Sequence, residues 1–155
     1  MNEPSEIDKV YAAAMLDFEG SVSLRMSQSS VAAMISVYNT DESVVSWFHD
    51  LFGGTFCSRL GRKPNGEPGR QMFECHLHNR SDLQRAINLL RPFMRIKVAQ
   101  MNVVERFLLL LVDPGERLDQ ANRWARFALV DELQALNGNT DRGPRSRPTR
   151  NLEST

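Results

Sequence analysis

The spacing of apolar and polar positions divides the chain into helices and strands. Residues 6–17 read as a helix: Ser5 stands at a cap position and Asp8 follows three places on, an approximate capping box. Its middle, Tyr11-Ala12-Ala13-Ala14-Met15-Leu16, is small and apolar all round, which predicts a buried helix that another backbone can approach closely. Gly20 breaks the pattern. Strict alternation follows, with Val22, Leu24 and Met26 apolar and Ser21, Ser23, Arg25 and Ser27 polar, the mark of a half-buried strand. A turn is expected at 27–30 and a second strand over 31–39, with Val31, Ala33, Ile35 and Val37 facing the core. Thr40 is expected to cap a helix over 41–52 that Gly53-Gly54 stop.

The second half repeats this plan. Residues 55–60 read as a strand, 61–69 as a basic loop rich in Gly and Pro, and 70–78 as a strand with Phe73, Cys75 and Leu77 inward. Its other face carries Met72, Glu74, His76 and His78. A helix over 81–90 ends near Pro92, and two more follow near 97–112 and 115–136. Trp47 and Phe48 read as core with Val44, Leu51 and Phe52. Trp124 reads as core with Ala121, Ala128 and Leu136, and His49 as surface. The pattern predicts one α+β domain over 1–138, helix-strand-strand-helix-strand-strand-helix plus two helices. Four antiparallel strands would carry helices on one face. Residues 139–155 read as a loose basic tail.

Composition narrows the class. The chain has 155 residues, 41% hydrophobic and 25% charged, which is ordinary globular usage. Two cysteines are too few for a disulfide scaffold or a zinc ribbon. No apolar run approaches a membrane span, and the acidic first residues do not resemble a secretory signal, so an intracellular protein is expected. Formal net charge is zero, but it is segregated: residues 1–19 carry net −4, whereas 58–70 and 91–106 each carry +3 and 141–155 carry +2. One basic face and one acidic region follow from that distribution. The uncovered sheet face would carry Ser21, Ser23, Arg25, Ser27, Ser36, Tyr38, Arg59, Arg70, Glu74, His76 and His78. This Ser, Arg, Tyr and His mixture resembles a surface that reads base edges in a DNA groove.

Chemistry concentrates at Asp17-Phe18-Glu19-Gly20, two acids at the end of an apolar helix. A carboxylate there opposes the helix dipole and needs compensation, either from a divalent cation or from local backbone groups. His76 and His78 lie two apart on one strand face beside Glu74, which would suit zinc, but no cysteine or third histidine is read as sharing their face, so DNA contact or plain surface is preferred. Cys57 falls on the face of Thr55 and Arg59. The 61–69 loop lacks the ending of a phosphate-binding P-loop and reads as a hairpin tip.

The segment Ala12-Ala13-Ala14-Met15-Leu16-Asp17-Phe18-Glu19-Gly20 resembles the motif of the LAGLIDADG homing endonucleases in its Asp-x-Glu-Gly variant. Ile35-Ser36-Val37-Tyr38-Asn39-Thr40 with Phe52-Gly53-Gly54, and Leu90-Arg91-Pro92-Phe93-Met94-Arg95-Ile96-Lys97 with Gln100, extend the resemblance in order. One motif implies a homodimer joined through the motif helices, with Ala13, Ala14 and Asp17 at the contact and a long, roughly palindromic double-stranded DNA target. The resemblance implies magnesium-dependent phosphodiester hydrolysis, with no membrane and no small-molecule substrate. Glu19 and the Phe18 carbonyl would bind Mg2+, Asn39 would position water, and Lys97 would sit near the scissile phosphate. Asp17 would order the helix end. Ser21, Ser23, Arg25, Ser27, Ser36, Arg59, Arg70, Glu74 and His76 match strand positions that face DNA, and Arg142 and Arg145 would reach phosphates. Phe18 departs from the small residue usual at its position. The alternative within this resemblance is a non-catalytic nucleic-acid binder, such as an intron-splicing maturase or regulator.

Overall fold

The computed structural model describes residues 3–27, 30–112 and 117–138. The first helix, α1 (Glu6–Glu19), starts at a complete capping box: the Ser5 hydroxyl accepts from Asp8 N–H while the Asp8 carboxylate accepts from Ser5 N–H. It runs straight into β1 (Gly20–Ser27) with no intervening loop. A Cβ on Gly20 would lie 2.3–2.8 Å from atoms of Leu16, so only glycine fits this junction. Then come β2 (Ser30–Asn39), α2 (Glu42–Phe52), β3 (Thr55–Arg62), β4 (Pro68–Leu77) and α3 (Arg80–Leu90). A 3-10 turn (Arg91–Phe93), α4 (Val98–Leu109) and α5 (Gln120–Leu136) complete the described chain. The strands form one antiparallel sheet in the order β1-β2-β4-β3, and the fold is α+β.

The helices cover one sheet face. Val22, Leu24, Val31, Ala33, Ile35, Val37, Cys75 and Leu77 meet Phe48, Phe52, Leu83, Ile87 and Leu16 in a single core, as the alternation predicts. Burial pushes the Cys75 thiol up to about 12, and its Sγ–H donates to Gly53 O at 3.3 Å, so this cysteine is an inert core group. No helix among the described residues is long and apolar enough to cross a membrane.

Four expectations are corrected. Asp41, not Thr40, caps α2: its carboxylate accepts from Ser43 N–H at 2.9 Å. The basic hairpin is shorter than 61–69, because β3 continues to Arg62 through a bulge and β4 begins at Pro68. In α5 the buried stripe is Arg126, Leu129, Val130 and Leu133. Ala121, Trp124, Ala128 and Leu136 face outward. The buried Arg126 explains why its stripe was hidden: the guanidinium donates to the Leu110 carbonyl at the end of α4 and lies over the Phe107 ring. Finally, α1 is not enclosed on all sides. Ala12, Ala13, Met15 and Leu16 are buried, whereas Ile7, Val10, Tyr11, Ala14 and Phe18 form an exposed apolar stripe.

The end of α1 is fastened to the start of α4. Asp17, almost fully buried, accepts from the backbone N–H groups of Arg95 (2.7 Å), Ile96 (3.2 Å) and Lys97 (2.9 Å). Lys97 answers with its ammonium, which donates to the carbonyl oxygens of Leu16 (3.1 Å) and Asp17. A cation on the last carbonyls of a helix complements its dipole. Burial lowers the Lys97 pKa below its ordinary 10.5, against the opposing pull of the Asp17 charge.

Asp17→Ala removes the acceptor of three backbone donors and costs about 3 kcal/mol of stability. A fall in the urea midpoint with an unchanged slope checks this. Because the unfolded chain holds the Lys97 proton more tightly than the folded chain, this lysine's contribution to stability rises as pH increases towards 10.5. Parallel urea titrations of wild type and Lys97→Met should show the wild type gaining on the variant over that range. A pH-independent difference would count against this account.

Candidate nucleic-acid interface

Glu19 is the last residue of α1 and is exposed where the helix meets the sheet. The Asn39 amide, at the end of β2, donates to Glu19 Oε2 at 2.7 Å. Asn39 is fixed in turn because its Oδ1 accepts from Asp41 N–H at 2.9 Å, directly before α2. The two acids of the motif therefore have different surroundings. Asp17 is compensated by distant backbone donors, and Glu19 by one side-chain amide while staying open to solvent. The Glu19 carboxylate and the Phe18 carbonyl are hard oxygen donors, a chemistry that suits magnesium. Among the described residues no group of three ligating side chains gathers at Glu19. The Phe18 side chain is 77% exposed on the apolar stripe.

Strand register assembles the open sheet face row by row. Ser21 pairs with Ser36, Ser36 with His76, and His76 with Thr55. In the next row Tyr38 pairs with Glu74 and Glu74 with Cys57. Towards the other end, Ser23 pairs with Met34, Arg25 with Ala32 and Arg59 with Met72. The parity thus brings the expected residues onto the side of the sheet away from the helices. A hollow of about 440 Å³ opens there, lined among others by Arg25, Tyr38, Arg59, Glu74, His76 and His78.

A polar chain runs under this hollow. Ser36 Oγ lies 2.8 Å from His76 Nδ1, and His76 Nε2 lies 3.0 Å from Glu74 Oε2. The other Glu74 oxygen pairs with Arg59. The Tyr38 ring meets His76 edge-on, with centroids 6.1 Å apart.

These contacts divide the expected binding residues. Arg25, Ser27, Arg59 and Arg70 are exposed, and Ser21, Ser23, Tyr38 and His76 are half-buried at the face. Ser36 and Glu74 are buried beneath it, so their part is to hold His76 and Arg59 rather than to offer free surface. Of the three residues expected at a helix contact, only Ala14 lies on the free stripe. Ala13 and Asp17 are enclosed by their own protomer. Arg142 and Arg145 lie outside the described residues. Sequence reasoning missed Ile7 and Tyr11 as companions of Ala14 and Phe18, although the 7-11-14-18 spacing marks one helix face. It also missed that Cys57 shares a face with Glu74 and His76, because register relates the two strands and parity alone does not.

No protein-family model matches the sequence, and no curated protein matches it. Solved structures do. The archaeal intron-encoded homing endonuclease I-Vdi141I, complexed with DNA, superposes with a TM-score of 0.70 at 20% identity, covering 91% of this chain and 89% of that one. The homing endonuclease I-CvuI, bound to the I-CreI target with magnesium and uncleaved DNA, gives a TM-score of 0.68 at 18% identity over 91% and 87%. The I-SmaMI LAGLIDADG homing endonuclease, bound to cleaved DNA, gives 0.61 at 18% identity. It covers 99% of this chain, which spans 54% of the I-SmaMI length. The chain has the fold of the LAGLIDADG homing endonucleases.

Proposed function

We propose that this chain is a member of the LAGLIDADG family. In this reading it is one protomer of a homodimeric, magnesium-dependent endonuclease that cuts double-stranded DNA at a long, roughly palindromic site. The observation that carries this reading is the position of Glu19. It stands exposed at the end of the helix bearing the free apolar stripe and at the start of the strand bearing Ser21, Ser23 and Arg25. The DNA complexes formed by proteins of the same fold support it.

In this reading Ile7, Tyr11, Ala14 and Phe18 meet the same residues of a second copy in an isologous contact. Tyr11 and Phe18 lie one turn to either side of Ala14, so their rings flank the closest approach of the two helices. The contact brings two Glu19 carboxylates together. The Glu19 carboxylate and the Phe18 carbonyl would hold Mg2+, which would supply positive charge for phosphodiester hydrolysis. Asn39 keeps the Glu19 carboxylate aimed out of the protomer. Lys97 holds the helix end with its ammonium and adds positive charge on the side where phosphate would lie. Ser21, Ser23, Arg25, Ser27, Tyr38, Arg59, Arg70 and His76 face base edges, Ser36 and Glu74 orient them, and Arg142 and Arg145 contact phosphates.

Glu19→Gln keeps DNA binding and lowers magnesium-dependent cleavage by about 100-fold or more. The check is a library of randomised duplexes, with cut ends recovered by sequencing and binding followed by mobility shift. Cleavage at the wild-type rate would remove Glu19 from the metal centre. Ile7→Glu combined with Ala14→Glu should turn the dimer into a monomer without loss of secondary structure. Sedimentation and circular dichroism read these two properties, and a monomeric wild type would refute the assembly.

A further inference from the structure

We propose that Cys57, Glu74 and His76 form a zinc-class metal site on the open sheet face, separate from the Glu19 centre. Cys57 and Glu74 are direct cross-strand partners, and His76 follows Glu74 by two residues on the same pleat. Their ligating atoms all lie within 4.8 Å of one another. A tetrahedral zinc with ligands at about 2.0–2.3 Å places them about 3.3–3.8 Å apart, so small side-chain rotations close the site. Thiolate, imidazole and carboxylate are a borderline-soft set that suits zinc rather than magnesium.

Two further observations point to a ligand. Ser36 Oγ holds His76 Nδ1 at 2.8 Å and leaves Nε2 turned towards Glu74, the arrangement in which a second partner orients a ligating histidine. Glu74 is only 7% exposed, and its Oε1 receives an ion-pair contact from Arg59 but no aligned hydrogen bond. A bound cation supplies what that buried oxygen lacks and displaces Arg59. Three protein ligands leave a fourth position open towards the hollow, the pattern of an open rather than a purely structural zinc site. The second cysteine, Cys75, faces the core and takes no part.

Cobalt(II) titration of the full-length, untagged chain tests this, with a phosphine reductant and each variant's fold checked by circular dichroism. One cobalt per chain should bind with a thiolate-to-cobalt charge-transfer band, and zinc should displace it. Cys57→Ser abolishes the band, His76→Gln weakens binding by at least about 100-fold, and Ser36→Ala weakens it by about 10–100-fold. Cys75→Ser and Glu19→Gln retain the band, which keeps this site distinct from the proposed cleavage centre. Arg59→Gln tightens binding by removing the competing cation. Absence of the band in wild type, its survival in Cys57→Ser, or its loss in Glu19→Gln would overturn the proposal.

Discussion

One buried carboxylate organises the rest of the structure. Asp17 gathers three backbone N–H groups from a segment 78 to 80 residues away, at the point where a helix end would otherwise repel it. Lys97 neutralises the same helix end from the opposite side, on the carbonyls of Leu16 and Asp17. The two interactions are reciprocal, so neither charge is buried alone. They fix where α1 stops, and therefore where Glu19 begins to be free. The anchor adds to the core packing of Ala12, Ala13 and Leu16, which seats the helix over the sheet.

That anchor also explains how a nearly neutral chain can present specialised surfaces. Ala12, Ala13 and Leu16 are spent on the protomer's own core, which turns Ile7, Ala14 and Phe18 outward as a separate apolar stripe. The sheet is divided in the same way. Its even-numbered β1 and odd-numbered β2 positions pack under the helices. The opposite positions hold Ser21, Arg25, Tyr38 and the chain from Ser36 to Arg59. Burying Glu74 beneath Arg59 is costly unless the charge is paired, and that cost keeps the guanidinium in one place.

Much of this was legible in the chain itself. Period-two alternation located β1 and β2 and their core faces, because one buried side makes register strongly determined. The capping box announced α1, and Gly53-Gly54 announced the end of α2. What stayed hidden depended on partners distant in sequence. Parity placed Cys57 and His76 correctly within their own strands, but only the pairing of β3 with β4 makes them neighbours. The α5 stripe was misread because its burial is centred on an arginine, whose polar head finds the Leu110 carbonyl. The α1 helix is legible as apolar all round, but residue type does not say which apolar face a protomer keeps for itself.

The direct passage from Glu19 to Gly20 has a mechanical corollary. There is no loop between the carboxylate and β1, so the position of Glu19 relative to the strand is set by the backbone junction itself. In the proposed enzyme, the offset between the severed bond and the recognised bases is therefore built into the backbone. Redesign of side chains along β1 would change which sequence is chosen and leave the stagger of the cut untouched.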